Sequence, residues 1–418
     1  MFDAFESDLR PLPRSLDPLE GESLHGYLLR LSHRLGAAPV EIAARTGLVS
    51  AAARMGTRRV PMGLLHHLDD QRRGAFASTT QLTSDEVRGL LTAPLGSRYG
   101  PLNSRLLART RTLEGMLHNN SWIHTRTTRY CPTCLSGDGS EIEERHGGTW
   151  RRTWRLPPVF ACLRHERLLL NGCPRCGQDV NATRAGGLIA RSHEADLHPA
   201  QCRATTPGTR AVCGARLAGV GVDRAPQAPT TVAALLRLQY HFDNLLAPDG
   251  PTWVGSFGWM IPAAQYFIDL RALSGLIFMT WPQARDLAET PALATFVDRE
   301  AERRHAAFAE SRAPIGKQRR ASHHYSEPSA DPVVAGAVFG IAARLLSAPD
   351  EISGHEAMAP IIDKTRRVEN VVGYQFRALN GLSRPASVVL LAVRQDKGAF
   401  ARIGQRIEDQ GFRRLVTG

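Results

Sequence analysis

The chain has 418 residues, 43% of them apolar and 22% charged, the balance of folded globular domains rather than of a disordered or low-complexity protein. Lys and Arg number 52 against 40 Asp and Glu, a formal charge of +12 that favours polyanions through counterion release, a signal with little specificity alone. No apolar run approaches the roughly 18 residues of a membrane span, and the opening MFDAFESDLRPLPR has acids and no apolar signal core, so a cytoplasmic protein without a membrane partner is expected.

The first predicted element is a helix in GESLHGYLLRLSHRLG, residues 21–36. Ser23 is a plausible cap, Leu24, Tyr27, Leu28, Leu31 and Leu35 recur at helical spacing, and Gly36 suits the stop. A second helix follows in APVEIAARTG, with Pro39 in its first turn, Ile42 and Ala43 inward and Gly47 permitting a sharp turn. A short helix from Ser50 to Met55 would complete a helix-turn-helix cadence. Ser50, Arg54, Arg58 and Arg59 are then the candidate nucleic-acid contacts, approaching phosphates or base edges from this helix and its exit. Two amphipathic helices simply packing in a helical domain, or a protein-docking surface on the same scaffold, fit the residues as well. From Thr83 to Arg129 the chain is expected to continue helically, starting with a capping box in TSDEVRGLL and carrying Arg105, Arg109 and Arg111 as a solvated face.

All seven cysteines lie between Cys131 and Cys213. Clustered pairs in a chain without a secretory signal read as metal ligands rather than disulfides. The candidates are Cys131/Cys134, Cys162/His165, Cys173/Cys176, and Cys202 with Cys213. Three of these are two-spacer knuckles, in which a tight turn aims both ligands at one ion. Pro follows the first Cys in two of them, and Gly172 and Gly177 flank the third, where positive φ is expected. Eight ligands make two tetrahedral sites. Sequential, nested and cross-braced pairings are all arithmetically open. The strand-like run ERLLLNG, residues 166–172, leads out of one knuckle into the next and favours the sequential one, which closes both loops at similar length. Cys202 and Cys213 are the least regular pair, with His193 and His198 nearby as substitutes. Four-ligand sites are closed and structural. No H-E-x-x-H, G-x-x-x-x-G-K-[ST], G-x-S-x-G or deaminase pattern is present, so no catalytic residues are assigned.

GVDRAPQAPT, residues 221–230, reads as a linker. Helices are expected beyond it in TVAALLRLQYHFDNLL, AAQYFIDLRALSGLIFM, ARDLAETPALATFVDREAERRHAAFAE and DPVVAGAVFGIAARLLSAP. Residues 312–332 read as a polar basic loop with Lys317, Arg319 and Arg320. The expected fold is therefore mainly α: an N-terminal helix-turn-helix-like helical domain over 1–128, a tandem zinc-ribbon module with short β-strands over 129–220, and a helical C-terminal domain over 231–418.

DPLEGESLHGYLLRLSHRLG, RYCPTCL and WRRTWRLPPVFACLRHERLLLNGCPRCG together resemble the TniQ family of transposon target-selection proteins, which includes the TnsD type. The resemblance rests on Gly21-Glu22-Ser23-Leu24, Arg129-Tyr130-Cys131-Pro132, the link Trp150…Trp154-Arg155-Leu156-Pro157, and the Cys-x2-His seam running into Cys-x2-Cys. It covers about residues 10–215. It implies a non-catalytic adaptor that recruits an AAA+ ATPase of the TniB or TnsC type. The target is DNA bound directly or an RNA-guided CRISPR complex engaged by a dimer. Zinc ligation carries over to Cys131, Cys134, Cys162, His165, Cys173 and Cys176, giving two structural zinc ions once Cys202 and Cys213 are added. Trp150 and Trp154 are expected as core rather than as stacking platforms for bases. The rival readings are a helix-turn-helix transcriptional regulator with structural zinc and, with least support, a zinc-stabilised nuclease, which needs a His/Asn/Asp metal centre that HGG at His146 is too little to build.

Overall fold

A computed structural model describes residues 10–50, 59–103, 120–182, 186–209, 211–219, 228–310, 323–367 and 381–392. The chain divides into two compact units, one made of residues 1–94 and 111–227, the other of 95–110 and 228–418. The described parts of the first helical segment and of the cysteine-rich segment thus lie in one unit. The boundary expected at 128/129 does not separate these two units.

In the first unit, α1 (Leu24–Leu35) starts where Ser23 accepts the Gly26 N–H at 3.1 Å and ends at Gly36, whose φ of 60° is left-handed, as expected of a Ser cap and a Gly stop. Residues 24–32 of α1 are all buried, so this is a central helix rather than a half-exposed one. Tyr27 meets Phe76 edge-on at 6.0 Å and His25 meets Trp150 at 5.2 Å. Gly26 permits the close approach, because a Cβ there would lie 2.7 Å from that of Trp150. Trp150 and Trp154 are 2% and 1% exposed and are core. Helix α2 (Pro39–Arg45) packs on α1 with Ile42 and Ala43 fully buried, and Gly47 turns the chain at φ 74°. The helix expected from Ser50 to Met55 lies outside the described residues, apart from Ser50 itself.

Helix α3 (Asp70–Thr80) is capped by Asp69, and α4 (Ser84–Gly89) opens with a full capping box between Thr83 and Glu86. Beyond α4 the expected helical run is not continuous. Residues 93–97 and 100–102 form only short 3-10 turns, where Pro94, Gly96, Gly100 and Pro101 break the pattern. Arg105, Arg109 and Arg111 lie outside the described residues.

The second unit is built around α8 (Ala263–Thr280), buried at sixteen of its eighteen positions. Around it lie α7 (Pro229–Leu246), α9 (Pro291–Glu310), α10 (His323–Ser326), α11 (Pro332–Leu346), α12 (Glu351–Arg367) and α13 (Arg384–Ala392). Phe242, Phe267 and Phe339 interlock edge to face at 5.8 and 6.2 Å, a favoured aromatic geometry. Tyr99 packs on Phe267 at 5.2 Å, and Gly100 sits so close to α8 that a Cβ would lie 2.2 Å from the Ala264 carbonyl. An antiparallel hairpin, β3 (Trp253–Ser256) with β4 (Trp259–Pro262), precedes α8. Its two turn residues, Phe257 and Gly258, have φ of 50° and 78°, as a tight hairpin turn requires. The basic stretch around Lys317, Arg319 and Arg320 and most of the expected linker at 221–230 lie outside the described residues.

Candidate metal centres

Four turns carry the cysteine ligands. Cys131 caps α5 (Pro132–Ser136) with Pro132 at its first position, which returns Cys134 to the same side. Helix α6 (Glu141–His146) follows. Strands β1 (Ala161–Cys162) and β2 (Arg167–Leu168) form a minimal hairpin, pairing Cys162 with Arg167. Between them a 3-10 turn carries His165, and Glu166 exits at a left-handed φ of 44°. The strand-like run 166–172 supplies only this ladder and isolated bridges, Tyr130 with Leu170 and Gly172 with Asp179. Of the two glycines flanking the next knuckle, Gly177 has the expected positive φ, 68°. Gly172 does not; it serves as the bridge partner of Asp179.

The sulfurs and the imidazole converge as two groups of four, Cys131, Cys134, Cys162 and His165, and Cys173, Cys176, Cys202 and Cys213. In the first group Cys134 Sγ lies 3.7 Å from Cys162 Sγ, and His165 Nδ1 lies 3.5, 3.3 and 3.5 Å from the three sulfurs. In the second, Cys173 and Cys213 are 3.8 Å apart and Cys176 and Cys202 3.9 Å. Disulfides would require about 2.05 Å. A tetrahedral ion with metal–sulfur bonds of about 2.3 Å has S–S edges of about 3.8 Å, and S–N edges near 3.5 Å. The donor sets therefore have the edge lengths of two tetrahedral sites, and each group could hold a metal ion. The pairing is the sequential one.

Electrostatics point the same way. Hydrogen bonding to Cys134 and Cys162 holds the Cys131 thiol low, while the bond with Cys131 pushes Cys134 and Cys162 up. Burial raises Cys176 and Cys202. Crowded thiols cannot all ionise together, whereas a central cation permits it. Neither histidine considered as a substitute belongs to the second group. His193 is exposed beside Glu194. His198 packs its ring 4.9 Å from that of His33, whose Nδ1 is 3.1 Å from Nδ1 of His146. This histidine cluster was not legible in the sequence, because its members are more than fifty residues apart in every pair.

Residues 13–169 match the model of the TniQ family. This segment is a TniQ domain. The match spans less than half the chain and is narrower than the resemblance traced over residues 10–215. It includes all four residues of the first Cys/His group and ends before Cys173, so the second group lies outside the TniQ domain. No curated protein matches the chain. Gly21, Glu22, Ser23 and Leu24 enter α1 of the TniQ domain, where Glu22 bonds Arg30 at 2.8 Å with both side chains fully buried. Arg129 and Arg155 are buried as well and brace the segment by donating to carbonyls, Arg129 to Pro157 and Val159 at 2.8 and 2.7 Å, and Arg155 to Thr125 and Leu188 at 3.0 and 3.3 Å. The family-like residues read from the sequence are thus largely ones that build the domain. Of the candidate nucleic-acid contacts, Ser50 and Arg59 are exposed, while Arg54 and Arg58 lie outside the described residues. Among the described residues no helix is long and apolar enough to cross a membrane.

Proposed function

We propose that this protein is a non-catalytic target-selection adaptor of a DNA transposition system, linking target DNA or an RNA-guided complex to an AAA+ ATPase. The TniQ domain over residues 13–169 carries this reading. We further propose that both Cys/His groups hold zinc. A closed set of three sulfurs and one imidazole nitrogen, and one of four sulfurs, suits a structural zinc and leaves no position for substrate or water. Bound there, zinc would tie together the short strands and turns that carry its ligands.

The formal charge of +12 supports contact with DNA, and the segment from Ser50 to Arg59 is the part of the TniQ domain we assign to it. A selection from a random duplex pool with zinc-loaded protein at near-physiological salt tests this assignment. Enrichment of one motif, lost in Arg58→Ala and Arg59→Ala, means that the protein reads its own site. Binding without a motif that weakens steeply with salt means that phosphate attraction acts alone and the target is supplied by a partner. A tightly bound operator that represses transcription, with no effect on transposition, would favour the regulator reading instead.

A further inference from the structure

The second unit carries a cleft of about 860 Å³ between α7, the β3–β4 hairpin and the C-terminal end of α11. It lies outside the TniQ domain, and the inference drawn from it does not depend on how DNA is recognised. Gly340 of α11 leaves space in it, since a Cβ at that position would meet only Leu238 Cδ2, at 3.7 Å. Arg237 and Arg344 stand on its walls. Arg344 is exposed and makes no ion pair among the described residues. Among the described residues Arg237 pairs only with Glu289, at 3.8 Å with a side chain 77% exposed, a pairing that contributes little in water. Ser256 also lines the cleft, though its side chain is buried.

Outside the cleft, the same helix and hairpin expose apolar and aromatic side chains. Tyr240, three residues along α7 from Arg237 and so on the same side of the helix, is 68% exposed. Trp253 and Met260 are 55% and 44% exposed. By strand alternation Trp253 and Met260 lie on the hairpin face opposite the one that carries Val254 and Ser256, the two side chains of the hairpin that line the cleft. Tyr, Trp, Met and Arg are the residues that concentrate in protein–protein contacts. Two arginines beside a carboxylate make a poor track for a nucleic-acid backbone, whose binding rests on many phosphate contacts.

We propose that this cleft docks an acidic segment of a protein partner. Carboxylates of the segment pair with Arg344 and Arg237, and a neighbouring apolar or aromatic side chain covers Leu238 and Val254. The test is a selection of random 16-residue peptides displayed on phage against the full-length zinc-loaded protein, followed by affinity measurements on the enriched peptides. The expected peptides combine Asp or Glu with Trp, Phe or Leu, and bind at least tenfold more weakly to Arg344→Glu and to Gly340→Leu. Arg344→Lys should retain most of the affinity. Arg344→Glu alters an exposed side chain, so it remains decisive if Gly340→Leu fails to fold. The proposal is overturned if no peptide is enriched, if the enriched peptides lack acids, or if Arg344→Glu binds them unchanged. It is equally overturned if Arg344→Glu weakens a random-sequence DNA duplex while leaving the peptides bound.

Discussion

Arg30→Met removes a buried ion pair of the TniQ domain, together with a longer bond to the Asp17 carbonyl at 3.4 Å. Arg30 Nη1 donates to Glu22 Oε2 at 2.8 Å, and both side chains are 0% exposed. Once the guanidinium is gone, the one donor left to the carboxylate among the described residues is the Leu19 N–H, at 3.0 Å. Where the pH keeps the carboxyl ionised, removing one member of a buried pair costs about 3–5 kcal/mol, because the remaining charge stays desolvated. If α1 opens as part of that unit, hydrogen exchange of its amides should accelerate roughly 150- to 5,000-fold, at about 1.36 kcal/mol per decade. The double variant Glu22→Gln/Arg30→Met should recover much of that loss. Charge also gives the effect a pH signature. Burial lifts Glu22 to about 7 against the opposing pull of Arg30. A carboxyl whose folded value exceeds its unfolded one contributes stability at low pH, and that contribution is lost as pH rises from the ordinary carboxylate range through about 7. Without Arg30 the carboxyl rises further, so the deficit of Arg30→Met should be larger at about pH 8.5 than at about pH 6. An acceleration below about tenfold, or the same deficit at both pH values, would refute the reasoning.

Chelation should unfold the cysteine-rich segment of the zinc-loaded protein, seen as exposure of the buried Trp150 and Trp154 to quencher, and re-addition of zinc should reverse it. In Gly148→Ala the new Cβ would lie 2.1 Å from the Cys134 carbonyl oxygen. Native mass spectrometry should then find one zinc per chain instead of two, whereas Gly177→Ala, strained at φ 68° but facing open space, should keep both and lose only about 1 kcal/mol. Burial holds His66, His146 and His198 at about 4. These groups favour the unfolded, protonated chain below about 6.5, so their contribution to the urea midpoint should rise with pH between about 4 and 6.5, against the opposite trend of Glu22. His66→Gln should flatten that slope; an unchanged slope would contradict the assignment.

The sequence disclosed elements whose signals are local. Ser23, Gly36, Thr83 with Glu86, and Gly47 each act on the backbone within a few residues of themselves, and the structure places each where its chemistry requires. The Cys-x2-Cys and Cys-x2-His knuckles were equally legible, because a two-residue spacer fixes both ligands by itself. Cys202 and Cys213 were harder, since eleven positions separate them and their convergence depends on pairing of Gln201 with Arg216 and of Thr205 with Val212. The β3–β4 hairpin went unread, although TWVGSFGWMIP alternates faces around a Gly-containing turn, the usual hairpin signal. The buried Glu22–Arg30 pair and the His33–His146–His198 cluster depend on tertiary packing and leave no periodic trace. The same holds for the cleft at Arg344, whose walls come from three separated elements.

The adaptor reading is tested most directly by counting and mapping insertions in cells that carry a marked transposon with its transposase and AAA+ ATPase, with and without this chain. The account predicts that insertions at the preferred target fall to background without the chain and return with the wild-type protein. It also predicts that Cys134→Ser fails to restore them while transposase and ATPase levels stay constant. Insertions equal in number and position in its absence would contradict a role in choosing the target.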